Sequence, residues 1–131
     1  MIKMLSAAEF ENASSRNRAE PVAIWKARKL IAKYSREELS LSKVAKMVNM
    51  SANHLSENFK QVTGINFVEY VAHTRFKTAC DLLQNPRLSV SEVAFAAGFQ
   101  SLSQFNRVFK RFSGKSPTQC RAAKGIAGRH R

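Results

Sequence analysis

Ser103, Asn106, Arg107 and Lys110 stand at i, i+3, i+4 and i+7 in SLSQFNRVFKRFSGK, the run over residues 101–115. At helical period they share one face, and Phe105, Phe109 and Phe112 share another. Hydroxyl, amide and guanidinium groups held in a row suit the reading of a patterned surface of donors and acceptors. Gln and Asn pair bidentately with adenine, Arg pairs with guanine, and Lys and Arg neutralise phosphate. The aromatic face must be buried if the polar face is to be held still.

The residues just before supply an element to bury it. Val90, Val93, Ala94 and Ala97 fall at i, i+3, i+4 and i+7, a single apolar stripe. Gly98 follows, where a chain reversing direction needs a left-handed residue. Ser101 is a good N-cap for the second helix, and Gln104 completes a capping-box pattern. From Val90 to Pro117 the chain reads as helix, tight turn, helix, a layout that reads DNA.

The same pattern occurs earlier. Leu41, Val44, Ala45 and Val48 stand 49 positions before Val90, Val93, Ala94 and Ala97. After the turn the offset is 50: Ser51 answers Ser101, Leu55 answers Phe105, Phe59 and Lys60 answer Phe109 and Lys110, and Gly64 answers Gly114. Asn49, the other residue type that tolerates the left-handed region, stands where Gly98 stands. Two copies are too few for a solenoid, so the pattern is a duplicated module.

The bulk numbers agree with a polyanion as partner. The chain has 131 residues, 44% of them apolar, and a net charge of +13 with a pI near 10.5. A basic surface without any partner would give the same charge. Cys80 and Cys120 form no CxxC and the histidines do not cluster, so neither a zinc site nor any other cofactor is expected. Reduced thiols in small core positions fit better than a disulfide framework. No apolar run reaches the ~18 residues of a membrane span, and no secretion signal opens the chain.

Taken in order, residues 1–20 read as an N-terminal extension or linker. Residues 21–123 read as the DNA-binding domain, and 124–131 as a basic tail. Pro21 opens a helix whose stripe is Ala23, Ala27, Leu30, Ile31 and Tyr34, with Trp25 expected in the core. The first helix-turn-helix covers 41–63, with Leu55, Phe59 and Val62 facing inward. Asn66 and Glu69 make a capping box for a long linker helix over 66–84, with Phe67, Tyr70, Val71, Thr74, Thr78, Leu82 and Leu83 inward. That helix would span roughly 28 Å, against ~34 Å between successive major-groove faces. Ser89 and Glu92 cap the second helix-turn-helix, 89–113. Ser116, Pro117 and Gln119 open a last short helix. No period-two pattern survives, so the expected fold is all-α with about seven helices.

At this point the residues resemble a known family. FQSLSQFNRVFKRFSGKSP, within the run from Ala94 to Pro117, is similar to the second helix-turn-helix of AraC/XylS-type transcription regulators. LSKVAKMVNMSANHLSENFK, from Leu41 to Lys60, resembles the first one, and Tyr70, Val71, Arg75, Ala79, Leu82 and Leu83 resemble the linker helix. The resemblance covers about Val22 to Ala123. It implies two helix-turn-helix subdomains joined by a helix, with reader helices in successive major grooves of double-stranded promoter or operator DNA. It also implies a regulator of bacterial transcription, most often an activator touching RNA polymerase, in the cytoplasm at the nucleoid. Family members usually carry a sensing or dimerisation domain. Only about twenty residues precede the match, so the chain is either a stand-alone reader or part of a longer protein, and the second reading is preferred.

Phosphate contacts are expected from Ser51, Lys60, Ser101, Lys110, Arg111 and Lys115. Base readout is expected from Leu102, Ser103, Gln104, Asn106 and Arg107 in the second helix. Arg107 also matches a DNA-contacting arginine of the family. Leu102 suits either a thymine methyl or a partly exposed spacer. The first helix offers Ala52, Asn53, Ser56 and Glu57 with no arginine, so it should discriminate more weakly or rely on shape. His54 is expected to pack or cap. Arg75 either braces the subdomains or reaches a phosphate. No Ser-His-Asp set, carboxylate pair or phosphate loop appears, and His54, His73 and His130 share no site, so no enzyme is expected. The competing reading is a basic helical module that binds an acidic protein.

Overall fold

The computed structural model describes residues 19–123. Most of the expected N-terminal extension and the whole basic tail lie outside the described residues. Among the described residues there are seven helices and no strand: α1 Ala19–Tyr34, α2 Leu41–Met47, α3 Ala52–Thr63, α4 Phe67–Leu82, α5 Val90–Ala96, α6 Leu102–Ser113 and α7 Pro117–Ala123. They form two units. The first takes residues 19–34 and 39–70, the second 35–38 and 71–123. Helix α4 starts in the first unit and ends in the second.

In the first unit α1 packs on α2 and α3. Ile24, Ile31, Val44, Leu55 and Phe59 are fully buried, each worth about 1.5–3 kcal/mol if it is otherwise exposed. Phe59 meets Phe67 and Tyr70 edge-on, with centroids 5.7 and 5.1 Å away. Arg28 Nε donates to the Tyr70 hydroxyl at 3.0 Å. Two expected core residues lie outside this core. Trp25 is 56% exposed, with Lys29 Nζ 5.3 Å from its ring centroid. At ~100° per residue it is about 200° from Ala23, and Ile24 takes the inner place. Val62 is exposed as well. Thr63, one turn beyond Phe59, is buried instead, its hydroxyl donating to the Phe59 carbonyl at 2.7 Å.

In the second unit Ala79, Leu83, Val93, Ala94, Ala97, Phe99, Phe105, Val108 and Phe109 form the core. Phe76, Phe109, Phe105 and Phe99 form a chain of ring contacts, with centroids 5.0 Å apart for Phe76–Phe109, 5.5 Å for Phe105–Phe109 and 5.1 Å for Phe99–Phe105. Helix α6 packs on α5 and α7. Cys80 and Cys120 form no disulfide and lie half-buried against this core.

Helix α4 has 16 residues, about 24 Å at 1.5 Å each, shorter than expected. It ends because the chain tightens: Gln84 and Asn85 bond back three residues, to Asp81 and Leu82. Arg121 then covers the carbonyls left over, with Nε 3.2 Å from Leu83 O and Nη2 3.1 Å from Asn85 O.

The caps follow the sequence closely. Ser89 and Glu92 make a complete capping box, at 3.0 and 2.8 Å. Ser116 and Gln119 do the same at 3.1 and 3.0 Å, and Asn66 Oδ1 accepts from Glu69 N at 2.8 Å. The expected box at Ser101 is only half of one. Gln104 N donates to Ser101 Oγ at 3.0 Å, but Gln104 Oε1 accepts from Gln100 N, at 3.1 Å, one residue upstream of the cap.

Candidate nucleic-acid interface

Helices α3 and α6 are set by the same local bonds. In the first turn Met50 N donates to Ala45 O at 2.9 Å, and in the second Phe99 N donates to Ala94 O at 3.1 Å. Asn49 has φ 60° and Gly98 φ 106°, so both reversals use the left-handed region. Ser51 and Ser101 cap the helices through His54 N and Gln104 N, at 3.1 and 3.0 Å. Both hydroxyls are exposed, and each keeps its own proton to offer to a phosphate oxygen. At the far ends Gly64 N and Gly114 N return to Lys60 O and Lys110 O at 2.8 and 2.7 Å. Thr63 and Ser113 bond the carbonyls of Phe59 and Phe109 at 2.7 and 2.8 Å. The repeat is therefore carried bond for bond.

On α6, Ser103, Asn106, Arg107 and Lys110 are exposed and lie within about 100° of arc. Leu102, 38% exposed, borders this arc on one side. Gln104 and Arg111 border it on the other. Gln104 is half-buried and its carbonyl oxygen is already taken by Gln100 N. A bidentate contact to adenine needs that oxygen, so Gln104 serves the turn first. The Arg111 guanidinium lies 5.0 Å over the Phe112 ring, which draws it to the margin of the face. Lys115 is exposed beyond the helix end. No acidic residue occurs in α6.

On α3, Asn53, Glu57 and Lys60 are exposed and Ser56 is half-buried, on the matching arc. Glu57 stands where Arg107 stands in the other copy, an offset of 50. This helix therefore has no net positive side-chain charge, whereas α6 carries Arg107, Lys110 and Arg111. His54 is exposed and its backbone N–H serves the cap.

Arg75 is committed inside the second unit. Its Nε donates to Ser35 O at 2.7 Å and its Nη2 to Glu37 O at 3.0 Å. Burial lowers its pKa, though an arginine stays charged at any ordinary pH. Periodicity gave no sign of this role for Arg75 or of Arg121's, because both partners are backbone carbonyls about forty residues away. Among the described residues no His, Cys, Asp and Glu cluster could hold a metal ion, and no helix is long and apolar enough to cross a membrane.

Two capped helix-turn-helix units, each exposing a polar arc on its second helix, define a DNA-binding module. A helix-turn-helix domain family matches residues 44–123. The chain is 33% identical over 94 residues to the Msm operon regulatory protein of Streptococcus mutans, covering 72% of this chain and 34% of that protein. Among solved structures it is similar to an AraC-type regulator from Chromobacterium violaceum, with TM-score 0.73, 27% identity, and 86% and 98% of the two chains covered. It is also similar to the DNA-binding domain of AdpA, a global transcriptional factor in complex with a target DNA, with TM-score 0.75, 25% identity, and 82% and 97% covered. The chain belongs to the AraC/XylS family of DNA-binding transcription regulators. It spans between 11% and 34% of the length of the curated relatives it matches.

Proposed function

We propose that the chain binds operator DNA sequence-specifically, with α3 and α6 in successive major grooves, and so regulates bacterial transcription. The observation that carries this is the bond-for-bond repeat of turn, N-cap and C-cap, which presents the same arc of side chains twice. In this reading Ser103, Asn106 and Arg107 meet base edges, with Leu102 at a thymine methyl. Ser51, Ser101, Lys60, Lys110, Arg111 and Lys115 hold phosphates, and Asn53, Ser56 and Glu57 make a weaker first reader. Activation through RNA polymerase, a place at the nucleoid and an attached sensing or dimerisation domain follow from the family resemblance. They belong to the same proposal.

The test is binding to duplexes selected from a random pool, then rebinding in excess competitor DNA at several salt concentrations. Arg107→Ala should relax preference at one base pair, by about 1–3 kcal/mol. Lys110→Ala should weaken all duplexes alike and flatten the salt slope by about one unit. Binding with no preference among duplexes would leave only a polycation, and the acidic-protein alternative would then be the better reading.

A further inference from the structure

The turn of the second unit has backbone packed directly behind it. Residues 35–38, the link between α1 and α2, belong to the second unit. Ser35 is buried, and a Cβ built on Gly98 would collide with its carbonyl oxygen. That Cβ would also sit 3.0 Å from Arg36 Cα and 3.0 Å from Arg75 Nε. Gly98 is thus a glycine for two reasons, its φ of 106° and the backbone pressed against it. By contrast Gly64 and Gly114 have left-handed φ angles with nothing within 4 Å.

We propose that Arg75 is a positioning residue for DNA recognition: by clamping the 35–38 strap against Gly98 it fixes the turn from which α6 departs. The two bonds are suited to this. One planar guanidinium grips the carbonyls of Ser35 and Glu37, so the strap is held at two points rather than one. The strap in turn closes the space behind Gly98, three residues before the N-cap Ser101. Reading base edges requires side chains placed to within about 0.5 Å. A turn free to rock would therefore blur the contacts of Asn106 and Arg107 while leaving the core in place. The proposal rests on α6 being a base reader.

Arg75→Met and Arg75→Lys, made in the full chain, test it together with Arg107→Ala. The readouts are preference at each base pair of the selected duplex and amide hydrogen exchange at Phe99 and Met50. Arg75→Met should lose affinity on the order of tenfold, confined to the base pairs that Arg107→Ala relaxes and their immediate neighbours. Exchange at Phe99 should speed up and exchange at Met50 should not. Arg75→Lys, which can reach one carbonyl, should recover part of the loss. Uniform weakening across all base pairs, or no change, would overturn the clamp. If Arg75→Met does not fold, Arg75→Lys alone decides, with a smaller loss confined to the same base pairs expected. If Arg107→Ala relaxes no base pair, α6 is not the reader and both proposals fall. If it does and the Arg75 variants leave those pairs alone, only the clamp fails.

Discussion

The two helix-turn-helix units share a fold but not a temperament. In the first, an asparagine makes the turn, the second helix carries one cation, Lys60, and one acid, Glu57, and a buried Asn58 donates to His54 O at 2.9 Å. In the second, a glycine makes the turn under a clamped strap, and the reader carries three cations and no acid. The local bonds that shape a reader helix were kept in both copies. The charge on its face and the residue at its turn were not. Architecture and discrimination are thus set by different residues. Serine, glycine and apolar residues fix where the helix goes, and in the proposed function the outward side chains set what it binds.

The largest effects should fall on what the copies share. Phe59→Ala and Phe109→Ala remove fully buried rings at twin positions and should each cost about 3–5 kcal/mol in denaturant melts. A loss at only one of them would show that one unit contributes little to the cooperative fold. Next come the turns, where the copies differ. Gly98→Asn should cost roughly 2–4 kcal/mol, because it meets the Ser35 carbonyl and Arg75. Asn49→Gly should stay within about 1 kcal/mol of the parent. Equal costs in the same melts would remove the contrast between the turns.

The reader faces give a smaller but cleaner contrast. Glu57→Arg copies the second reader's charge onto the first. It should tighten binding to all duplexes and steepen the salt slope by about one unit or more. Weaker binding would mean that Glu57 makes a favourable contact of its own, for instance with a cytosine amino group.

The smallest effect concerns pH. His73, its ring edge-on to Phe112 at 5.0 Å and against Phe76, has its pKa lowered by burial and by Lys77. The unfolded chain then holds the proton more readily, so the folded state should lose stability as pH falls through about 6.5 and be unaffected above it. His73→Gln should remove that slope in melts between pH 5 and 8. A slope of the opposite sign would contradict the assigned cause.

Much of this was legible in the sequence because it is local. Ser51, Ser89, Ser101 and Ser116 announce helix starts, and Asn49, Gly64, Gly98 and Gly114 announce reversals, through backbone preferences that act within four residues. The apolar stripe of α5 likewise places Val93, Ala94 and Ala97 inside. What was not legible depends on partners far along the chain. Nothing near Arg75 or Arg121 signals a carbonyl some forty residues away. Trp25 misleads because its size suggests a core residue while its phase turns it outward, and Ile24 beside it has the right phase. Gln104 fits the capping-box spacing, but its side-chain oxygen accepts from Gln100 N, one residue before the cap. As for the site, sequence alone marks the outward arc, but only the geometry separates the exposed Arg107 from Gln104, half-buried with its carbonyl oxygen taken by Gln100 N.

The most direct measurement is the sequence logo recovered when the parent chain selects duplexes from a random library. Two blocks of preferred bases should emerge, centred about 10 base pairs apart, with the block that Arg107→Ala weakens holding the greater share of the information. A single block, no motif, or a stronger block that Arg107→Ala leaves untouched would contradict the account of two unequal readers on neighbouring turns.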